Sequence, residues 1–219
     1  QGLVNLKYLD WGQNNLTTLN VQGLTNLVNL YSYNNSLTSL NIQDLTNLVN
    51  LYCNNNQITS LNIQGLLNLE SLSCGYNQLE TLDVHELINL EYLNCNNNLL
   101  NLINLQDCSN LLHLNTQFNQ LASLNLQGLT TLKELRCYGN QLTSLNLQNL
   151  SNLRIIQCEN NQISFLDLQG FNHLLHLSCN DNLITFLNLQ GSINLNYLEC
   201  SNNLLTDLNL TDSSLLNTL

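Results

Sequence analysis

The sequence is short of basic residues and contains no methionine. Four Lys and Arg residues stand against 15 Asp and Glu residues, which gives a formal net charge of −11. Such a chain repels phosphate backbones and anionic lipid, so we expect neither nucleic acid as a partner nor direct membrane insertion. No signal peptide or membrane-spanning segment is recognisable either. Because the chain starts at Gln1 and stops within a repeat, we expect a fragment of a larger protein that lacks terminal caps.

The chain consists of a 21-residue unit that is repeated along almost its whole length. The segment LTNLVNLYSYNNSLTSLNIQD at 24–44 is followed directly by LTNLVNLYCNNNQITSLNIQG at 45–65. Ten full repeats cover residues 3–212 without insertion or deletion, and a partial eleventh covers 213–219. A fixed period of this length is typical of a solenoid, in which each coil contacts only its neighbours. We therefore predict a single domain over residues 1–219.

The apolar columns of the repeat predict short strands. With Leu3 at position one, position four is Leu in all ten repeats, and positions seven, 14, 17 and 19 are always Leu, Ile or Val. Positions seven and nine lie two residues apart, as in Leu51 and Cys53, and residues so spaced share a face in a strand but not in a helix. We expect a strand over about positions six to ten, an extended second half and no full helix. Equivalent strands then stack in parallel from coil to coil.

An invariant Asn at position 12 follows each first strand, as at Asn56 and Asn77. Where the chain leaves a strand, its backbone donors and acceptors lose their partners, and an Asn amide can supply both kinds of partner. We interpret this column as structural: it should serve its own turn and the next coil.

Residues 48–63 fit the pattern L-x-x-L-x-C-x-x-N-x-[LI]-x-x-L-x-[LI], which resembles a leucine-rich repeat. In particular the chain is similar to the short 21-residue bacterial class called IRREKO, and its LTNLVNL segment is distantly internalin-like, although internalins use a 22-residue repeat. The resemblance implies a right-handed, mostly β solenoid of ten coils, with a parallel sheet on one face and extended segments on the other. The better-known members of this group bind proteins at cell surfaces.

Seven of the eight cysteines are best interpreted as a column of buried free thiols, whereas Cys108 stands apart at position one, near a corner. Seven occupy the inward position nine, where equivalent side chains stay about one strand spacing (~4.8 Å) apart and point the same way, which suits neither a disulfide nor a tetrahedral metal site. In HLLHLSC, His173, His176 and Cys179 fall at positions three, six and nine and should not converge on one ion. We predict no metal, no cofactor and no catalytic residues, because no other group of side chains has a catalytic pattern.

Variation within the repeat is concentrated on the outward positions of the first strand. All eight tyrosines and all four basic residues lie on positions five to 11, whereas the outward positions of the second half are mostly Ser or Thr, Asn or Asp, and Gln. Tyr and Arg are enriched at binding surfaces, although Tyr also simply suits strands. The predicted ligand-binding residues are Tyr8, Tyr31, Tyr33, Tyr52, Tyr92, His113, Arg136, Tyr138, His176 and Tyr197.

Two patches stand out on this predicted face. The first combines Tyr8, Tyr31, Tyr33 and Tyr52 with Asp10 and suits a peptide or a sugar ring. The second combines Glu134, Arg136, Tyr138, Gln157 and Glu159 and suits a charged protein surface.

The leading hypothesis is a non-enzymatic module for protein binding or adhesion, secreted or displayed on a bacterial cell surface, with a cytoplasmic location left open. A carbohydrate-binding module is one alternative, with a glycan in place of the protein partner. The other is a structural or ice-binding surface made of the regular Ser/Thr, Asn and Gln rows, although Leu102, Phe165, Phe186 and Asp207 interrupt the row at position 16. A thermal-hysteresis measurement distinguishes this last alternative.

Overall fold

The computed structural model describes residues 3–219, and these divide into two compact units, one ending at Leu111 and the other covering Leu112–Leu219. In each unit the chain winds as a β-solenoid of 21-residue coils. No helix occurs within residues 3–219, and this part of the chain accordingly has no helix with the length and apolarity of a membrane span. The assignment of residues 1–219 to a single domain stays a prediction.

Unit 1 contains seven short strands. They are β1 (Tyr8–Asp10), β2 (Asn29–Tyr31), β3 (Asn50–Tyr52), β4 (Ser71–Ser73), β5 (Thr81–Asp83), β6 (Tyr92–Asn94) and β7 (Leu102–Asn104). The first-strand sheet has the order β1-β2-β3-β4-β6, and β5 pairs with β7 in a separate second-strand sheet. These strand pairs are parallel and displaced by one repeat, as where Leu30 lies opposite Leu51.

Unit 2 repeats this arrangement. Its strands are β8 (His113–Asn115), β9 (Glu134–Arg136), β10 (Ile155–Gln157), β11 (Phe165–Asp167), β12 (His176–Ser178), β13 (Phe186–Asn188) and β14 (Tyr197–Glu199). The first-strand sheet has the order β8-β9-β10-β12-β14, and β11 pairs with β13 in the second-strand sheet. The resemblance to leucine-rich repeats therefore predicted the fold class correctly.

The first strands are shorter than the sequence predicted. They cover positions six to eight rather than six to ten, because the chain bends away after position eight and position 11 adopts a positive φ, as at Asn55 (55°) and Asn34 (52°). Interstrand hydrogen bonds nevertheless continue past the strands. The Cys53 amide donates to Ser73 O at 2.8 Å, and the Asn55 amide donates to Gly75 O at 2.9 Å.

The core between the two sides of each coil is made of the predicted apolar columns. Leu48 and Leu51 are fully buried, and Leu61 and Ile63 on the other side of the same coil are at most 9% exposed. Burying a Leu or Ile side chain contributes about 1.5 to 3 kcal/mol, so each coil whose columns are buried in this way adds a similar amount of stability.

The Asn at position 12 fixes the turn after each first strand. Asn56 Nδ2 donates to Cys53 O of its own coil at 3.0 Å and to Ser32 O of the preceding coil at 2.9 Å. Its Oδ1 accepts from the Leu37 amide, also in the preceding coil, at 2.9 Å. The structural role is as predicted, but the neighbour that Asn56 serves is the preceding coil and not the next one.

Candidate functional site

Three tyrosines stack across the first-strand sheet of unit 1. Tyr8, Tyr31 and Tyr52 occupy β1, β2 and β3, where Tyr31 lies directly opposite Tyr52. The ring centroids are 5.3 Å apart for Tyr8 and Tyr31, and 5.0 Å apart for Tyr31 and Tyr52. Tyr52 Oη lies 3.0 Å from Ser71 Oγ on β4, which fixes the end of the row. Burial raises the pKa of Tyr31, with a smaller contribution from its tyrosine neighbours, so its hydroxyl stays a neutral hydrogen-bonding group.

Tyr33 joins the same surface at its edge. Its ring lies against the backbone of Gly12 in the preceding coil, where any side chain on residue 12 would collide with it. The Gly12 amide donates to Asp10 Oδ1 at 2.8 Å, which holds this turn in place. Tyr8, Tyr31, Tyr33 and Tyr52 together form what we call the tyrosine cluster.

Tyr92 was also predicted for this site, but its strand lies too far along the sheet for Tyr92 to stack on the tyrosine cluster. It begins β6, two strands away from Tyr52 on β3, and two strand spacings amount to about 9.6 Å. Its side chain is 38% exposed. Tyr92 therefore extends the aromatic surface of unit 1 without stacking on the row.

The first-strand sheet of unit 2 carries charge instead. Glu134 on β9 forms an ion pair with Arg136 on the same strand, and its other carboxylate oxygen lies 3.0 Å from His113 Nδ1 on β8. These three side chains are half-buried and lie on adjacent strands. A carboxylate held between a guanidinium and an imidazole is fixed in orientation, as a preorganised binding surface requires.

The other end of this sheet brings a second group together. His176 on β12 stacks on Tyr197 of β14 with ring centroids 4.2 Å apart and planes 6° apart. Tyr197 Oη donates to Glu199, and this hydrogen bond holds the pKa of Glu199 below its usual range and raises that of Tyr197. Burial lowers the pKa of His176, so the imidazole is neutral at pH 7.

Glu159 lies between these two groups along the sheet, two positions after β10. It is half-buried, and burial raises the pKa of its carboxyl. We call His113, Glu134, Arg136, Glu159, His176, Tyr197 and Glu199 the charged cluster. Its three carboxylates outnumber its one permanent cation, so its field is negative.

Two aromatic side chains beside the sheets adopt an unfavourable backbone conformation. Position 11 has a positive φ throughout, which suits Asn and Gly, yet Tyr76 (53°) and Phe118 (52°) occupy it in two coils. Both are about half exposed, and Phe118 packs edge-on against Tyr138 with centroids 5.1 Å apart. Bulky residues held in this conformation are typical of functional surfaces. The sequence placed them near the face but gave no sign of the strain.

The position-nine cysteines point inward, as predicted. Cys53, Cys74 and Cys95 are fully buried free thiols, and burial raises the pKa of Cys53 and of Cys95 to about 12. Trp11 is 44% exposed and Cys200 is half-buried, whereas the position-nine residues of the coils between them are buried. Among residues 3–219 no three His, Cys, Asp or Glu side chains are grouped so as to hold a metal ion.

This chain is similar to known proteins in structure, but it matches no family of related sequences. No protein-family model matches the chain, and no curated protein matches it. Among solved structures, the functional domain of InlJ from Listeria monocytogenes, which includes a cysteine ladder, aligns with 98% of this chain at 26% identity and a TM-score of 0.78. The chain covers 53% of that domain.

Two further solved structures are similar over 98% of this chain. A leucine-rich repeat protein of Leptospira interrogans is 29% identical, with a TM-score of 0.76, and the chain covers 66% of it. YopM from Yersinia enterocolitica is 26% identical, with a TM-score of 0.82, and the chain covers 46% of it. These similarities indicate a leucine-rich repeat solenoid. The chain has the leucine-rich repeat fold and is distantly similar to the internalins.

Proposed function

We propose that this chain is a non-enzymatic module that binds a protein partner through its first-strand sheets. The observation that carries the proposal is the row of Tyr8, Tyr31 and Tyr52, whose rings lie 5.3 and 5.0 Å apart on a solvent-facing sheet. Stacked tyrosines offer rigid contact area together with hydroxyl groups, and such residues dominate the energetics of protein interfaces.

The tilt of these rings favours a protein over a sugar as the ligand. Tyr8 and Tyr31 are tilted by 46°, and Tyr31 and Tyr52 by 64°, so the row presents ring edges and hydroxyls rather than one flat face. A pyranose stacks on a flat ring face, whereas the irregular side chains of a protein fit between edges. The carbohydrate alternative is therefore the weaker one for this face.

The charged cluster contributes specificity to the same function. The carboxylates of Glu134 and Glu199 are held in position by neighbouring side chains, and that of Glu159 is half-buried. Charges arranged in this way select a partner with a complementary surface and speed its association. We propose that the partner region facing unit 2 carries basic side chains. Binding should then weaken as salt is raised from about 50 to 500 mM.

We propose that the chain acts outside the cell or on a bacterial cell surface. The likeness to internalin-type structures supports this location. The free thiols are compatible with an oxidising environment because burial protects them from reagents in solution. Protease treatment of intact cells that carry the full-length gene product tests the proposal: a surface protein is cleaved, and an intracellular one is not.

The binding proposal is tested with matched baits. The purified chain and the variants Y31A/Y52A, R136A/Y138A and S60A/Q64A are immobilised, and retained surface proteins of the source cells are identified by mass spectrometry. The partner is then purified and its affinity for each bait is measured by calorimetry. We expect at least about a fivefold loss, or about 1 kcal/mol, for one of the first two variants and no change for S60A/Q64A. Loss on S60A/Q64A alone would place binding on the other face and overturn the proposal.

A further inference from the structure

The second-strand sheet of unit 2 carries an exposed aromatic pair. Phe165 on β11 lies opposite Phe186 on β13. The two rings stack almost in parallel, 8° from coplanar, with centroids 5.1 Å apart. They are 53% and 50% exposed, while Leu166 and Leu187 beside them fill the core. Each ring therefore has one face covered by its partner and one face left for a ligand.

A cleft flanks the pair on each side. Phe165 borders a cleft of about 610 Å³, which opens because Ser144, the equivalent residue of the preceding coil, is small. Phe186 borders a cleft of about 480 Å³ above Asp207 of the following coil. Both volumes lie within the range of about 300 to 1,000 Å³ that is usual for small-ligand sites.

The polar groups of the clefts are amides and carboxylates held in fixed positions. Asp167 Oδ1 accepts from Asn188 Nδ2 at 2.8 Å and from the Gln169 amide at 3.1 Å. In the second cleft, Asp212 Oδ2 accepts from the Gly191 amide at 2.9 Å. None of the residues that line the two clefts is basic. The carboxylates therefore disfavour an anionic ligand, while the amides and carboxylates together can hydrogen-bond hydroxyl groups.

A flat exposed ring beside fixed hydrogen-bonding groups matches the chemistry of a neutral sugar. The C–H face of a pyranose packs on an aromatic ring, and its hydroxyls both donate and accept. The two clefts lie on opposite sides of the Phe pair, about two coil spacings or ~10 Å apart, which favours an extended ligand made of linked rings. We propose that Phe165 and Phe186 form the centre of a binding site for a neutral oligosaccharide.

This site is separate from the protein-binding face, since it lies on the second-strand side of unit 2. An apolar protein segment is the rival occupant. Such a segment would gain from the exposed rings but would desolvate the carboxylates of Asp167, Asp207 and Asp212 without filling their remaining lone pairs, which is costly. A sugar chain satisfies these groups with its own hydroxyls.

Calorimetric titration with defined hexasaccharides tests the site. The probes are cellohexaose, mannohexaose and chitohexaose, with hexagalacturonic acid as the anionic control. We expect saturable binding of at least one neutral hexasaccharide in the micromolar-to-millimolar range and no binding of the acidic one. Failure of all three neutral probes at millimolar concentration, or equal binding of the acidic probe, overturns the proposal.

Matched variants locate the binding. F165A and F186A should each weaken the neutral probe at least about tenfold, while F165Y, which keeps the flat ring, should retain it. L102A, at the equivalent repeat position of unit 1, and Y31A, on the protein-binding face, should leave sugar affinity unchanged. Circular dichroism confirms that the variants fold, as is expected for exposed side chains. Unchanged affinity in F165A and F186A would show that the sugar binds elsewhere and contradict the proposal.

Discussion

At the scale of single residues, burial controls the chemistry of the cysteines. Burial raises the pKa of Cys53 and of Cys95 to about 12 and that of Cys108 to about 11, and the thiolate is the reactive form. In the folded protein at pH 8 we therefore expect these thiols to resist Ellman's reagent. Cys200, the one half-buried cysteine, should react first.

Unfolding in guanidinium chloride provides the control for this labelling, because all eight thiols should then react rapidly. Peptide mapping of the labelled protein identifies which cysteine reacted. Rapid labelling of Cys53 or Cys95 in the native protein would contradict the inward column.

Tyr76 illustrates a conflict between stability and function at one residue. It holds a positive φ of 53°, a conformation that costs a bulky residue about 1 kcal/mol relative to Asn or Gly. Y76N should therefore raise the free energy of unfolding by about 0.5 to 1 kcal/mol in a urea titration. N55Y, at the same position of the preceding coil, is the matched reverse change and should lower it by a similar amount. A loss of stability in Y76N would mean that packing of the Tyr76 ring outweighs the backbone strain.

At the scale of the turn, the Asn at position 12 joins adjacent coils. Asn77 Nδ2 donates to Cys53 O and Cys74 O at 3.0 Å each, and its Oδ1 accepts from the Ile58 amide at 2.9 Å. N77A leaves these buried backbone groups without a partner, and we expect a loss of about 2 to 4 kcal/mol of stability. N62A removes an exposed Asn and should cost less than about 1 kcal/mol. Equal losses in the two variants, measured by urea denaturation, would refute the special role of position 12.

At the scale of the strand, substituting an inward residue should lower stability strongly, whereas substituting an outward residue should lower it little. Leu48 is fully buried, so L48A should cost about 2 to 5 kcal/mol. Tyr52 is half-buried and contributes one ring contact and one hydroxyl contact, so Y52A should cost only about 0.5 to 1 kcal/mol. Thermal and urea unfolding measure both. A comparable loss in Y52A would make Tyr52 a structural residue and remove it from the proposed face.

The second half of the coil shows where prediction from the repeat alone reached its limit. The period predicted an extended segment in every coil. Within residues 3–219, however, second strands pair only where two adjacent coils carry Thr81 and Leu102, or Phe165 and Phe186, at position 16. Ser39, Ser60, Ser123 and Ser144 occupy the same position in coils without a second strand. Large and β-branched side chains support each other across a sheet, whereas Ser does not.

At the scale of the whole molecule, the repeat predicted the frame of the site but not its contacts. The outward columns identified the tyrosine row, because Tyr31 and Tyr52 lie at one position of adjacent coils and Tyr8 lies at the neighbouring outward position of the coil before. The stacking of His176 on Tyr197 depends instead on side-chain rotamers, and so does the clamp of Glu134 between His113 and Arg136. Phe165 and Phe186 entered the sequence pattern only as interruptions of a polar row, and their separation by one repeat was the signal of the stacked pair.

The most direct test of the protein-binding claim is hydroxyl-radical footprinting of the free chain and of its complex with the partner recovered by the matched baits. We expect reduced oxidation of Tyr31, Tyr52 and Tyr138 in the complex, because these rings lose contact with solvent on binding. Oxidation of Phe165 and Phe186 on the second-strand side should be unchanged. Protection of Phe165 and Phe186 with unchanged oxidation of the three tyrosines would contradict it, since the partner would then occupy the second-strand face.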